Sequence, residues 1–98
     1  MDRKVKWGIA GLGNIAKKFA ADLIKNSESD LVAVASSNFN RAMKFKSSYG
    51  AKRAYKSYSQ LFEDEDVEVV YIASLNNHHK KMTFDALNSR KAVLCEKP

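Results

Sequence analysis

Val5-Lys6-Trp7-Gly8-Ile9-Ala10-Gly11-Leu12-Gly13-Asn14-Ile15-Ala16 constrains the fold of this chain more than any other stretch. Val5, Trp7 and Ile9 read as a short apolar strand. Two glycines one residue apart follow, and then residues whose apolar positions recur at helical spacing. Gly11 lets the chain turn tightly off the strand. Gly13, without a Cβ, leaves its backbone open to close approach. Ala16 is small enough for the new helix to pack against the strand. Gly11, Gly13 and Ala16 together fit the pattern G-x-G-x-x-G/A, in which a pyrophosphate rests on the free N–H groups and positive dipole end of a helix. Such a pattern is weak alone, and its weight comes from the strand before it and the helix after it.

The rest of the chain supplies that context in repeated units. A first helix is expected from Asn14 to Lys25, with Ile15, Phe19, Leu23 and Ile24 on one face, Ala16 and Ala20 beside them, and Lys17, Lys18 and Asp22 pointing elsewhere. Leu31-Val32-Ala33-Val34-Ala35 is a continuous apolar run, as expected of a parallel strand buried on both faces. A second helix is predicted over Phe39 to Tyr49, with Asn38 as its N-cap, Gly50 as its stop, and Ala42, Phe45 and Tyr49 inward. Arg53-Ala54-Tyr55 reads as a third strand. Ser57-Tyr58-Ser59-Gln60 resembles a capping box opening a short helix that carries Leu61 and Phe62. Val67 and Val69 to Ala73 give a fourth strand, His79 to Ser89 a further helix, and Ala92 to Cys95 a fifth strand.

This βαβαβαβαβ order predicts an α/β fold, a doubly wound parallel Rossmann sheet with strand order 3-2-1-4-5 and helices on both faces. All 98 residues make one domain with one core. The switch point then lies between the first and fourth strands, where ligands bind at the carboxyl ends. Four polar loops are expected on that edge: the glycine turn, Ser36 to Asn38, Ser74 to His79, and Glu96-Lys97.

Several alternatives are weaker. The net charge of +6 raises nucleic acid as a partner, but the Lys and Arg residues are scattered and carry no interleaved aromatics. A surface that attracts anionic ligands accounts for them better. The run Glu63-Asp64-Glu65-Asp66 reads as a solvated loop, since adjacent carboxylates do not converge on one ion. His78 and His79 lack a third ligand at suitable spacing, so no metal site is expected. No apolar run approaches a membrane span. Cys95, the single cysteine, reads as an inert strand thiol and fits a cytoplasmic protein.

About 20 residues beyond the glycine turn, an NAD site offers Asp or Glu to the ribose 2′-hydroxyl. Here the strand ends Ala35-Ser36-Ser37-Asn38, and Asp30 lies at the wrong edge. Hydroxyls, an amide and Arg41 suit a 2′-phosphate better, which favours NADP over NAD as the coenzyme. For Arg41 the competing reading is an ordinary solvent-facing helix residue.

Four stretches together resemble the glucose–fructose oxidoreductase/inositol dehydrogenase (Gfo/Idh/MocA) oxidoreductases: Gly8 to Ala16, Leu31 to Ser36, Tyr71 to Asn76 with His79, and Val93-Leu94-Cys95-Glu96-Lys97-Pro98. The resemblance spans the whole chain in order and spacing. It implies hydride transfer between a nicotinamide coenzyme and a carbinol carbon of a sugar, polyol or related diol. Gly11, Gly13, Asn14, Ile15 and Ala16 would then hold the pyrophosphate, and Ser36, Ser37, Asn38 and Arg41 would meet the adenosine ribose. Ser74, Leu75, Asn76 and His79 would line the nicotinamide side. Glu96 and Lys97 match the family's Glu-Lys-Pro motif, whose Lys contacts substrate and assists proton transfer, making Lys97 the candidate catalytic residue.

Two positions depart from the family pattern. Ser37 stands where many members have Arg, and Leu75 where Pro is usual. Family enzymes also continue after this motif into a second α/β domain carrying most of the substrate pocket, and these 98 residues hold none of it. The resemblance therefore implies a coenzyme-binding domain with little or no turnover alone, either a fragment or a truncated product. Its uncovered sheet edge or helix surfaces would be free to self-associate. The reading that competes with this one is a stand-alone nucleotide-binding or interaction module without catalysis.

Overall fold

The computed structural model describes residues 4–73 and 91–95, the side chain of Cys95 excepted. The expected helix from His79 to Ser89 and the expected site residues Ser74, Leu75, Asn76, His79, Glu96 and Lys97 lie outside them.

The described chain runs β1 (Val5–Ala10), α1 (Asn14–Leu23), β2 (Ser29–Ala35), α2 (Phe39–Tyr49), β3 (Arg53–Tyr55), α3 (Tyr58–Phe62), β4 (Val69–Ile72) and β5 (Ala92–Cys95). The five strands form one sheet in the order β3-β2-β1-β4-β5, and every neighbouring pair is parallel. This is the predicted doubly wound topology. Parallel pairing forces each crossover to lie over a face of the sheet, so the central strands are covered on both sides.

Two layers of side chains do the covering. On one face, Ala16, Ala20 and Leu23 of α1 and Ala42 and Phe45 of α2 pack against Ile9, Leu31, Val34 and Tyr71. Phe19 stacks on Tyr71 with ring centroids 3.9 Å apart and meets the Trp7 ring edge-on at 5.3 Å, which fixes α1 over β1 and β4. On the other face, Leu61 and Phe62 of α3 pack against Ala10, Val32, Ala33, Ala35, Val70 and Ile72. Gly8 lies under α3, and the β1–β2 register shifts between Trp7 and Gly8.

The helix ends follow their local chemistry. Asn38 Oδ1 accepts from the Arg41 N–H at 3.2 Å, and Ser57 Oγ from the Gln60 N–H at 3.3 Å, so both expected N-caps form. Gly50 closes α2 with φ 74°.

Three expectations need correction. Helix α1 ends at Leu23, two residues early, because the Lys25 and Asn26 N–H groups turn back to the Asp22 and Leu23 carbonyls. Ile15 and Ile24 are each 50% exposed rather than inward. The buried stripe is 16-20-23, with Phe19 at its margin, so Ile15 falls on the flank and Ile24 lies past the helix. Strand β4 is also shorter than expected: Val67 is buried but lies before it, and Ala73 after it.

The acidic run is not simply solvated either. Asp64 has a side chain only 5% exposed. It accepts from Arg53 Nε at 2.8 Å, from the Tyr55 hydroxyl at 2.7 Å and from the Asp66 N–H at 2.9 Å. Arg53 also pairs with Asp66. Lys91, itself buried, donates to the carbonyls of Asp64 and Val67 at 2.6 and 2.8 Å. A stretch that reads as four surface charges is thus a tie between β3, the segment before β4 and the start of β5.

Candidate functional site

Three strand ends converge on the glycine turn. The Gly11 N–H donates to the Ala35 carbonyl at the end of β2, at 3.1 Å. The Ala73 N–H donates to the Ala10 carbonyl at the end of β1, at 2.9 Å. The chain therefore leaves β1 held between β2 and β4, at the switch point of the sheet. Gly11 makes this exit with φ 91°, a conformation that side chains strongly disfavour.

Past Gly11 the turn splits into a buried and an open set. Leu12 and Ala16 are buried, and Gly13, Asn14 and Ile15 are exposed. Gly13 is the N-cap of α1 and provides no side-chain cap, and no acidic residue stands in the first turn. The first intrahelical bond is donated by the Lys17 N–H to the Gly13 carbonyl at 3.1 Å. The N–H groups of Asn14, Ile15 and Ala16 precede it and have no helix carbonyl to bond. Helices α2 and α3, by contrast, are capped by their own Asn38 and Ser57.

A Cβ built on Gly13 would meet no atom of the described residues within 4 Å. Its backbone, φ −86° and ψ −163°, is one that any residue adopts. Nothing among the described residues requires glycine here. The bare backbone leaves room for a group to lie on it, and the donor set beside it is the kind that holds a phosphate anion. The residues present therefore fit a dinucleotide pyrophosphate.

Beside the turn, α1 and α2 enclose a groove of about 770 Å3. Leu12, Gly13, Asn14 and Lys17 form one wall, and Asn38, Asn40, Arg41, Lys44, Phe45, Ser48 and Tyr49 the other. Among the described residues the lining holds three cationic side chains and no carboxylate. Ser36, nearly buried, stands two residues before the groove residue Asn38, and its Oγ accepts from the Asn38 N–H at 3.1 Å. That hydroxyl shapes the loop and keeps a proton free to donate. Ser37 is exposed. Tyr58 lies close enough to Arg41 to feel its charge. Burial pushes the phenol up, and the guanidinium works against it.

The structure thus brings Gly11, Gly13, Asn14, Ile15, Ala16, Ser36, Ser37, Asn38 and Arg41 to one edge of the sheet. Sequence reasoning missed Lys17, Asn40, Lys44 and Ser48. The signal was present in part: Arg41, Lys44 and Ser48 stand at i, i+3 and i+7 of one helix and so share a face. Among the described residues, no group of three or more His, Cys, Asp or Glu is placed to hold a metal ion, and no helix is long and apolar enough to cross a membrane.

Comparison with known proteins gives the same fold. A family model described as "Oxidoreductase family, NAD-binding Rossmann fold" matches residues 5–98. Trans-1,2-dihydrobenzene-1,2-diol dehydrogenase of Mus musculus is 43% identical over 96 residues, which are 96% of this chain and 29% of that enzyme. The Danio rerio dehydrogenase of the same name is 35% identical over the same shares. Among solved structures, scyllo-inositol dehydrogenase from Lactobacillus casei with bound NAD(H) and scyllo-inositol superposes with a TM-score of 0.90 at 28% identity, over 98% of this chain and 28% of its own. A 3-ketoreductase from Actinomadura kijaniata in complex with NADP superposes with a TM-score of 0.94 at 29% identity, over 98% and 30%. The chain therefore spans a little under a third of the length of these relatives.

Proposed function

This chain belongs to the Gfo/Idh/MocA oxidoreductase family, NAD-binding Rossmann fold, and from that premise we propose that it is the coenzyme-binding domain, residues 1–98, of an NADP-dependent oxidoreductase acting on CH–OH groups of a sugar, polyol or related diol. The observation that carries this reading is, among the described residues, the open space over Gly13, set against first-turn N–H groups of α1 that no side chain caps. Gly11, Gly13, Asn14, Ile15 and Ala16 hold the pyrophosphate. Ser36, Ser37, Asn38 and Arg41 meet the adenosine ribose.

NADP is preferred to NAD because the groove beside the end of β2 carries Arg41, flanked by amides and a hydroxyl, and no carboxylate among the described residues. A ribose 2′-hydroxyl is best recognised by an acidic acceptor, and a 2′-phosphate by a guanidinium. The relatives' own names divide between the two, with NAD(H) in the inositol dehydrogenase and NADP in the ketoreductase.

Ser74, Leu75, Asn76 and His79 line the nicotinamide side. Glu96 and Lys97 come directly after Cys95 in the sequence and match the family's Glu-Lys-Pro motif. When bound, the nicotinamide exchanges a hydride with the carbinol carbon. Lys97 would contact the substrate oxygen and assist its proton transfer. The substrate class rests on the relatives, dihydrodiol and inositol dehydrogenases.

The test is calorimetric titration of the chain with NADPH and with NADH. Saturable binding of NADPH, about tenfold tighter than NADH, is expected from a charge-assisted contact to the extra phosphate. Equal or tighter binding of NADH overturns the coenzyme preference, and no heat with either coenzyme overturns the function.

A further inference from the structure

Lys17 and Lys44 belong to different helices and enter the same groove from opposite walls. Both are exposed, as is Arg41. Among the described residues none of these three cations is in an ion pair, although Lys52 and Arg53 both are. Lys44 lies three residues beyond Arg41, about 4.5 Å farther along the axis of α2 and on the same face. Lys17 lies one turn into α1 from Asn14. Among the described residues no carboxylate lines the space between them. Three cations around one groove, with no ion pair or acidic lining among the described residues, hold a positive potential that a dianion relieves better than a neutral ligand. A nucleotide whose pyrophosphate rests at Gly13 brings its ribose to the end of β2, where Asn38 and Arg41 line the groove. A phosphate on that ribose then falls within reach of long lysine side chains from both helices.

We propose that Lys17 and Lys44 are specificity-determining residues for the 2′-phosphate of the coenzyme, closing on it from α1 and α2 while Arg41 meets it from above. This rests on the NADP reading and extends it. Discrimination belongs to a clamp spanning two helices rather than to the loop after β2 alone. Ser37, short and uncharged at that loop, leaves the task to the groove walls.

The experiment measures affinities of adenosine 2′,5′-bisphosphate and of AMP for the wild-type chain and for Lys17→Gln, Lys44→Gln and Lys25→Gln. Lys25 is an exposed lysine beyond the far end of α1, and its loss changes net charge equally. Lys17→Gln and Lys44→Gln are each expected to weaken the bisphosphate about five- to tenfold and AMP less than about twofold, with Lys25→Gln changing neither. Equal losses for both nucleotides, or the same loss in Lys25→Gln, would reduce the effect to general charge and overturn the proposal. If the two groove variants bind like wild type while the bisphosphate still outcompetes AMP, the clamp is wrong and the NADP reading stands. If the wild-type chain binds AMP as tightly as the bisphosphate, the NADP reading fails and the clamp with it.

Discussion

A methyl group at Gly8 would lie 2.9 Å from Leu61 Cδ1 and 3.0 Å from Val67 Cγ1, inside a layer with no slack. At Gly13 the same methyl group would meet nothing among the described residues. The first glycine serves packing within the chain, and the second is the one proposed to receive the coenzyme. Gly8→Ala is expected to destabilise the fold by about 1–3 kcal/mol, since Leu61 is fully buried and cannot withdraw without disturbing its neighbours. Chemical denaturation measures this, and a variant as stable as wild type would show that α3 stands farther from β1. From sequence the two glycines look alike. Only Gly13 belongs to the recognisable pattern, and the reason for Gly8 appears once α3 is laid over it.

At the scale of elements, the tie through Asp64 joins segments that are far apart in sequence. Burial is the strongest influence on its carboxyl and opposes ionisation. The hydrogen bonds from Arg53, Tyr55 and the Asp66 N–H together outweigh it, with the Arg53 charge added, and hold the group below the ordinary carboxylate range. Burial likewise pushes the Lys91 ammonium down, and the nearby Asp64 and Glu65 charges restrain that shift. The folded chain thus binds the Asp64 proton less readily than the unfolded chain does. Its stabilisation is complete above the unfolded value, near about pH 4, and is lost as pH falls through the lower folded value. Asp64→Ala is expected to cost about 2 kcal/mol at pH 7, discounted because Arg53 is 39% exposed and retains Asp66. Urea unfolding at several pH values should show the gap between variant and wild type constant from pH 7 to about 5 and shrinking below about 4. A gap unchanged into strong acid would mean that the charge contributes nothing. None of this was legible in Glu63-Asp64-Glu65-Asp66, because the run carries no mark of which carboxylate will be buried. That choice is made by Arg53, Tyr55 and Lys91, brought in by the sheet.

At the scale of the whole molecule, the strand order followed from spacing alone. Five short apolar runs separated by helix-length segments leave few right-handed parallel arrangements, and the one expected is the one found. Half of the site was legible for the same reason, since topology puts the glycine turn and Ser36 to Arg41 on one edge. The groove was not, because the approach of α1 to α2 depends on Ala16, Ala20, Ala42 and Phe45 packing on the same face of the sheet. Lys17 and Lys44 become neighbours of one cavity only after that approach.

The central claim, that this fold presents Gly13 to a coenzyme, is tested most directly by thermal unfolding of wild type and Gly13→Ala with and without NADPH. Without ligand the two should unfold alike, within about 1 kcal/mol, because the backbone at residue 13 suits alanine and no described residue stands within 4 Å of an added Cβ. With NADPH at about 100 times its dissociation constant, wild type should gain about 2.7 kcal/mol, a rise in Tm of roughly 10 °C or more for a chain of this size. The variant, its methyl group lying where the pyrophosphate must rest, should gain little. An equal rise in both proteins would place the nucleotide elsewhere and contradict the account.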